Sequence, residues 1–194
     1  VKEGDVLELG SHSLKFIMAP MIHWPEVMMS YEESEKVLFS ADAFGKFGVL
    51  NIKESPAEAK KEDWACEARR YYFNIVGKYG APVQALLKKA AALDIQKICP
   101  LHGPVLAEEL SYYIEKYDVW SRYEPEDKGV LIAYSSVYGN TKAAVETLAE
   151  CIGNREKVVL ADLAREDMAE VIEDAFRYDR LVVASPTYDG GLFP

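Results

Sequence analysis

Three side chains of this sequence stand where a metal ion would suit them. His23 lies in the proline-framed stretch PMIHWP (20–25), Asp42 in FSADAFG (39–45), and His102 in PLHGP (100–104). Imidazole nitrogens favour iron, zinc or copper, and one carboxylate can bridge two ions. A single histidine or aspartate in a loop is usually structural. Three such donors, each directly after a strand-like run, are what points to a metal site. His12, in the turn GSHS (10–13), reads instead as a surface residue. A second stretch, YSSVYGNT (134–141), is built to hold an anion. Its serines, Asn140 and Thr141 supply donors, and Gly139 lets the backbone come close. The helix that follows begins with unpaired N–H groups and the positive end of its dipole. The pattern is neither G-x-x-x-x-G-K-[ST] nor G-x-G-x-x-G. A phosphate monoester held without a lysine is the ligand it fits.

The elements that must position these residues follow from periodicity and punctuation. Short strands are expected at 6–9, 13–18, 36–39 and 47–50, with prolines at 20 and 25 forbidding a helix or central strand between them. Residues 60–79 carry a helical stripe of Trp64, Ala68, Tyr71, Tyr72, Ile75 and Val76. A second helix is expected over 82–93, a strand over 95–99 and a third helix over 106–120. The polar segment 124–129 then separates a first domain, 1–124, from a second, 129–194. Beyond it, strand 129–134, helix 141–151, strand 157–160, helix 167–176 and strand 180–184 alternate. That order predicts right-handed crossovers and a parallel, doubly wound α/β sheet. Ligands of such sheets sit at the carboxyl ends of the strands. The stretch SPTYDGG (185–191) lies at such an end, and Tyr188 with its two glycines suits a loop stacked on an aromatic ring.

Composition narrows the classes. A chain of 194 residues, 49% hydrophobic, has room for one or two domains with cores of their own. Its net charge of −10 argues against nucleic acid or an anionic membrane as partner. No apolar run approaches the ~20 residues of a membrane span, and the charged opening VKEGDVLEL reads as strand rather than signal peptide. Cys66, Cys99 and Cys151 form no zinc spacing or disulfide framework. They suit a reducing, cytoplasmic location. The first residue is Val rather than Met, so a longer polypeptide is expected.

The loop SVYGNT (136–141) resembles the FMN-phosphate loop of flavodoxins, [ST]-x-[ST]-x-x-[GH]-[NQ]-T. The segments MIHWPEVMMSY, LFSADAFG and CPLHGPVL, followed by YSSVYGNT and SPTYDGGLFP, together resemble the flavodiiron proteins. That resemblance implies the C-terminal part of a metallo-β-lactamase-like αββα domain joined to the N-terminal part of a flavodoxin-like sheet. It implies FMN and two non-haem iron ions: His23 on one iron, His102 on the other, Asp42 bridging both. Ser135, Ser136, Val137, Tyr138, Gly139, Asn140 and Thr141 would hold the FMN phosphate, and Pro186, Thr187, Tyr188, Asp189 and Gly190 would lie along the flavin. The implied activity is reduction of dioxygen to water, of nitric oxide to nitrous oxide, or of both. Electrons would come from a rubredoxin-like protein or a reduced deazaflavin, within a head-to-tail homodimer. The family's H-x-E-x-D-H motif is absent from this sequence, and the flavodoxin-like half stops short of its last strands, which again implies the middle of a longer polypeptide. Two alternatives stay open: a flavodoxin-like carrier fused to a zinc hydrolase, and a non-catalytic fragment.

Overall fold

The computed structural model describes residues 1–49 and 61–193, with side chains from Trp64 onward in the second stretch. Backbone contacts divide the chain into two units, Val1–Tyr123 and Glu124–Pro194.

In the first unit, β1 (Val6–Glu8), β2 (Ser13–Met18), β3 (Met28–Glu32), β4 (Val37–Phe39) and β5 (Lys97–Cys99) form one sheet in that spatial order. The first three pairings are antiparallel and β4–β5 is parallel. It follows that β2, β4 and β5 run in the same direction and end at the same edge of the sheet. α1 (Lys61–Tyr71) continues through a π-helical turn, Tyr72–Val76, and a 3₁₀ turn into α2 (Gly80–Ala90). α3 (Leu110–Ser121) completes the unit. Trp64, Ala68, Tyr71, Tyr72 and Val76 of the expected stripe are buried, along with Val83 and Leu86 of α2.

Three expectations are corrected. β3 falls in a stretch to which no strand had been assigned, although Met29 and Tyr31 alternate inward as a half-buried strand requires. No strand forms over residues 47–49, and Leu50 lies outside the described residues. The third helix starts at Leu110 rather than 106, because Leu106 is held in an antiparallel bridge to Ile98 and Glu109 takes a left-handed φ of 48°.

The second unit has β6 (Asp127–Tyr134), α4 (Asn140–Gly153), β7 (Val158–Asp162), α5 (Met168–Arg177) and β8 (Tyr178–Ala184), then a small hairpin, β9 (Thr187–Tyr188) with β10 (Gly191–Leu192). The sheet is parallel in the order β7-β6-β8. From Gly129 to Tyr134, β6 is buried throughout and covered on both faces, as central parallel strands are. Val130, Ile132 and Tyr134 pack with Val145 of α4, while Leu131 and Ala133 pack with Val171 of α5. Asp167 caps α5, its Oδ1 accepting the Ala169 amide at 2.8 Å. No helix among the described residues is long and apolar enough to cross a membrane.

Candidate functional site

The shared direction of β2, β4 and β5 explains why three sequence-distant donors meet. Each stands in the loop that leaves its strand at the same sheet edge. The loops after β4 and β5 are tied together beyond the strands. The Ser40 amide donates to Cys99 O at 3.1 Å, the Leu101 amide to Ala41 O at 2.8 Å, and the Lys46 amide to His102 O at 3.1 Å. The His23 loop is closed by the Ala19 amide to Val27 O at 2.8 Å and anchored by fully buried Ile22.

Asp42 sits at the centre, 8% exposed. Its Oδ2 lies 3.5 Å from His23 Nε2, and its Oδ1 lies 3.5 Å from His102 Nε2. These gaps are long for hydrogen bonds, and they leave room for an ion about 2 Å from each donor. One carboxylate oxygen therefore faces each imidazole, the arrangement a bridging carboxylate needs. The donor chemistry fits a metal pair, but among the described residues each half-site has one nitrogen and one oxygen. Among the described residues no group of three or more such donors is placed to hold a single ion.

Sequence reasoning missed Tyr71, assigning it only to the apolar stripe. Its hydroxyl is 3.5 Å from Asp42 Oδ1 and its ring 5.7 Å from His102. Burial, reinforced by the Asp42 charge, pushes the phenol well above its ordinary range, so it stays protonated at neutral pH. The two tyrosine hydroxyls on this largely apolar stripe, those of Tyr71 and Tyr72, were the available signal, and it does not single out Tyr71. The loop that carries Asp42 is pinned from behind by Tyr117, whose buried hydroxyl accepts the Phe44 amide at 2.6 Å. Gly45 is needed there for space, since a Cβ would stand 3.0 Å from Tyr71 Cε1 and 3.1 Å from Asp42 O. His12 is half exposed and bonds Glu32 Oε1 at 3.0 Å, in a separate cluster.

In the second unit, the order β7-β6-β8 sets β6 and β8 side by side, so the loops that follow them emerge together. The Ser135 amide donates to Ala184 O at 3.0 Å, and Ser135 Oγ donates to Ser185 Oγ at 3.1 Å. Gly139, at φ 87°, ends the loop and opens α4 without a side-chain cap. Within this start the Lys142 amide donates to Ser136 Oγ at 3.3 Å. Val137 and Tyr138 are exposed, Tyr138 to 84%. The stretch expected as a plain loop is the β9–β10 hairpin. Asp189 and Gly190 both take positive φ, 49° and 79°, the signature of an Asp-Gly two-residue turn. It presents Tyr188, 60% exposed, while the Phe193 amide closes the loop on Pro186 O at 2.9 Å. The loops holding residues 135–141 and 186–190 thus flank one sheet end, the switch point where doubly wound sheets bind ligands.

Residues 1–103 match the family described as ODP family beta lactamase, and residues 131–194 match a flavodoxin domain. The chain is 31% identical over 204 residues to the anaerobic nitric oxide reductase flavorubredoxin of Vibrio vulnificus, covering all of this chain and 40% of that protein. It is 32% identical over 197 residues to an uncharacterized protein of Methanocaldococcus jannaschii, covering all of this chain and 49% of that one. Among solved structures, rubredoxin oxygen:oxidoreductase from Desulfovibrio gigas superposes with a TM-score of 0.92 at 28% identity, covering 100% of this chain and 49% of that one. The flavodiiron protein from Giardia intestinalis gives 0.93 at 27%, covering 100% and 48%. The chain thus spans about half the length, or less, of the relatives it matches. Fold and site together define a metallo-β-lactamase-like unit followed by a flavodoxin-like one. The chain belongs to the flavodiiron protein family.

Proposed function

We propose that this chain contributes to an oxidoreductase that reduces dioxygen to water, nitric oxide to nitrous oxide, or both, at a non-haem diiron centre fed by FMN. The observation that carries the reading is Asp42, with one oxygen toward His23 and the other toward His102 at 3.5 Å each. Iron would supply a binding and redox site for the small molecule, and FMN a store of one or two electrons. His23 and His102 would each hold one ion as neutral imidazoles, and Asp42 would share its charge between them. Tyr71 keeps its proton beside Asp42 Oδ1, a neutral donor next to the position of the metals. Ser135, Ser136, Gly139, Asn140 and Thr141 would hold the flavin phosphate, and Tyr188 on its hairpin would lie against the ring. Two relatives support this reading by name, one a nitric oxide reductase and one a rubredoxin oxygen:oxidoreductase. A rubredoxin-like protein or a reduced deazaflavin as donor, and a head-to-tail homodimer, belong to the same proposal.

The two donors in each half-site are fewer than an iron ion takes. Further ligands must therefore come from outside the described residues, in cis or in trans. The test is metal analysis and an absorption spectrum of the purified protein, with oxygen and nitric oxide consumption measured under a chemical reductant. Iron, flavin and turnover together are expected. Zinc without flavin, or neither cofactor, would overturn the proposal.

A further inference from the structure

A line of oxidisable rings runs from the back of the Asp42 loop to the surface of the first unit. It begins at Tyr117, whose hydroxyl accepts the Phe44 amide at 2.6 Å and whose ring centroid is 4.3 Å from that of Phe44. From Tyr117 to Trp120 the centroids are 5.5 Å apart. Trp120 and Trp64 are stacked within 14° at 6.1 Å, and Trp64 meets Tyr113 edge-on at 4.6 Å. Tyr117, Trp120 and Trp64 are buried, and Tyr113 is only partly so. Two of the chain's 3 tryptophans stand in this one line. Electron tunnelling weakens exponentially with distance, so rings this close pass a charge far faster than a single jump across the unit would.

We infer that Tyr117, Trp120, Trp64 and Tyr113 form a relay that carries an oxidising equivalent from the metal-binding loops to the protein surface. The inference rests on the proposed oxygen chemistry for its purpose. The oxidant would be a one-electron oxidant of high potential, of the class that dioxygen or peroxide chemistry under the proposed function would supply when donor electrons run short. Tyr113 loses one electron and, to solvent, its phenolic proton. The electron passes through Trp64, Trp120 and Tyr117 and reduces the oxidant by one equivalent. A thiol-class or ascorbate-class reductant in solution then returns one electron, and a proton from water restores the phenol. The net effect is to move damage from the metal ligands to a surface group that can be repaired.

Proton bookkeeping sets the direction. A phenol is a good resting place for the charge only where its proton can leave. Tyr72, beside Tyr117 and Trp120 at 5.1 and 5.5 Å, has a fully buried hydroxyl with no partner among the described residues. It cannot easily release a proton, so it is a poor stop. The Trp64 indole N–H is likewise buried without an acceptor there, and the Arg69 guanidinium lies 5.9 Å from the Trp120 ring centre. A neighbouring cation disfavours positive charge resting on that indole by like-charge repulsion. Both indoles therefore pass the charge on rather than keep it. Burial also holds Tyr117 protonated. Tyr113 combines contact with the line and access to water; Tyr112 is also partly exposed, but its ring stands farther from Trp64, at 6.3 Å against 4.6 Å.

The relay can be tested without iron or flavin, so its failure is separable from failure of the proposed function. In the metal-free chain with His12→Gln and His23→Gln, His102 is the remaining one of 3 histidines and can carry a ruthenium photo-oxidant. After flash oxidation, a spin trap in solution is expected to label Tyr113, located by mass spectrometry. The label should fall by an order of magnitude or more in Tyr117→Phe, which keeps the ring packing, and in Trp120→Phe. Tyr72→Phe should retain it. Circular dichroism of each variant reads folding separately. Equal labelling of Tyr113 in the parent, Tyr117→Phe and Trp120→Phe would overturn the relay, as would an unlabelled Tyr113 in a parent whose photo-oxidant fires.

Discussion

Gly45→Ala measures how tightly the first unit holds its candidate metal loop. The added methyl would stand 3.0 Å from Tyr71 Cε1, 3.1 Å from Asp42 O and 3.2 Å from Tyr71 Cζ. All three are closer than ordinary van der Waals contact, and none belongs to a flexible chain end. The Tyr71 ring is itself wedged between Phe47, at 5.1 Å, and His102, at 5.7 Å. Either the ring or the Asp42 backbone must move, and overpacking of this kind costs about 1–3 kcal/mol. With a urea slope of about 1–3 kcal/mol per molar for small units, the midpoint should fall by roughly 1 M. Tryptophan fluorescence reports the first unit alone, because Trp24, Trp64 and Trp120 all lie within it. Gly153→Ala is the control, with open space at its Cβ and a place in the other unit. It should leave that signal unmoved. An unchanged midpoint in Gly45→Ala would mean the loop is slack, and the argument for a pre-set Asp42 would fail.

Other outcomes follow from the same geometry. The double substitution Asn140→Ala with Thr141→Ala should weaken FMN by tenfold or more, since a hydrogen bond to a charged group contributes roughly 1.5–3 kcal/mol. Full flavin occupancy in a fluorescence titration would remove the phosphate role from this loop. Glu32 is pulled down to about 2 from 4.5, first by the Ser34 hydroxyl, then by backbone N–H groups and His12. A depressed carboxylate stabilises the fold above its ordinary value and loses that contribution as pH falls through its folded value. Acid unfolding of Glu32→Gln, followed by tryptophan fluorescence, should therefore lack the wild-type loss between about 4.5 and 2. Superimposable acid curves would contradict this. Finally, residues 1–194 alone should bind iron weakly, because each half-site offers two donors. Two tightly held irons per chain, by metal analysis, would refute that.

Much of the second unit was legible in the sequence. Alternating strand and helix patterns are long, local signals, and GVLIAY is too short and too β-branched for a helix. The β9–β10 hairpin was hidden because its strands are two residues long, although the Asp-Gly pair that turns it was in view. In the first unit the three donors were readable from their proline-framed or strand-following positions. What brings them together was not. Their convergence depends on β2, β4 and β5 sharing a direction, and that depends on β3, whose weak MMSYE alternation was passed over between two prolines and an acidic run. Tyr71 was readable as apolar but not as a neighbour of Asp42, since a contact across 29 residues leaves no local pattern. The late start of α3 has the same cause, a pairing of Leu106 with Ile98 that helix propensity cannot anticipate.

The shared role of Asp42 is tested most directly by counting iron per FMN in the reconstituted protein, with the remaining ligands supplied in cis or in trans. Asp42→Ala should empty both iron positions together, because each of its oxygens faces a different histidine. His23→Ala and His102→Ala should each remove chiefly one iron and leave the other. Equal losses in all three variants would contradict a carboxylate shared between two metals.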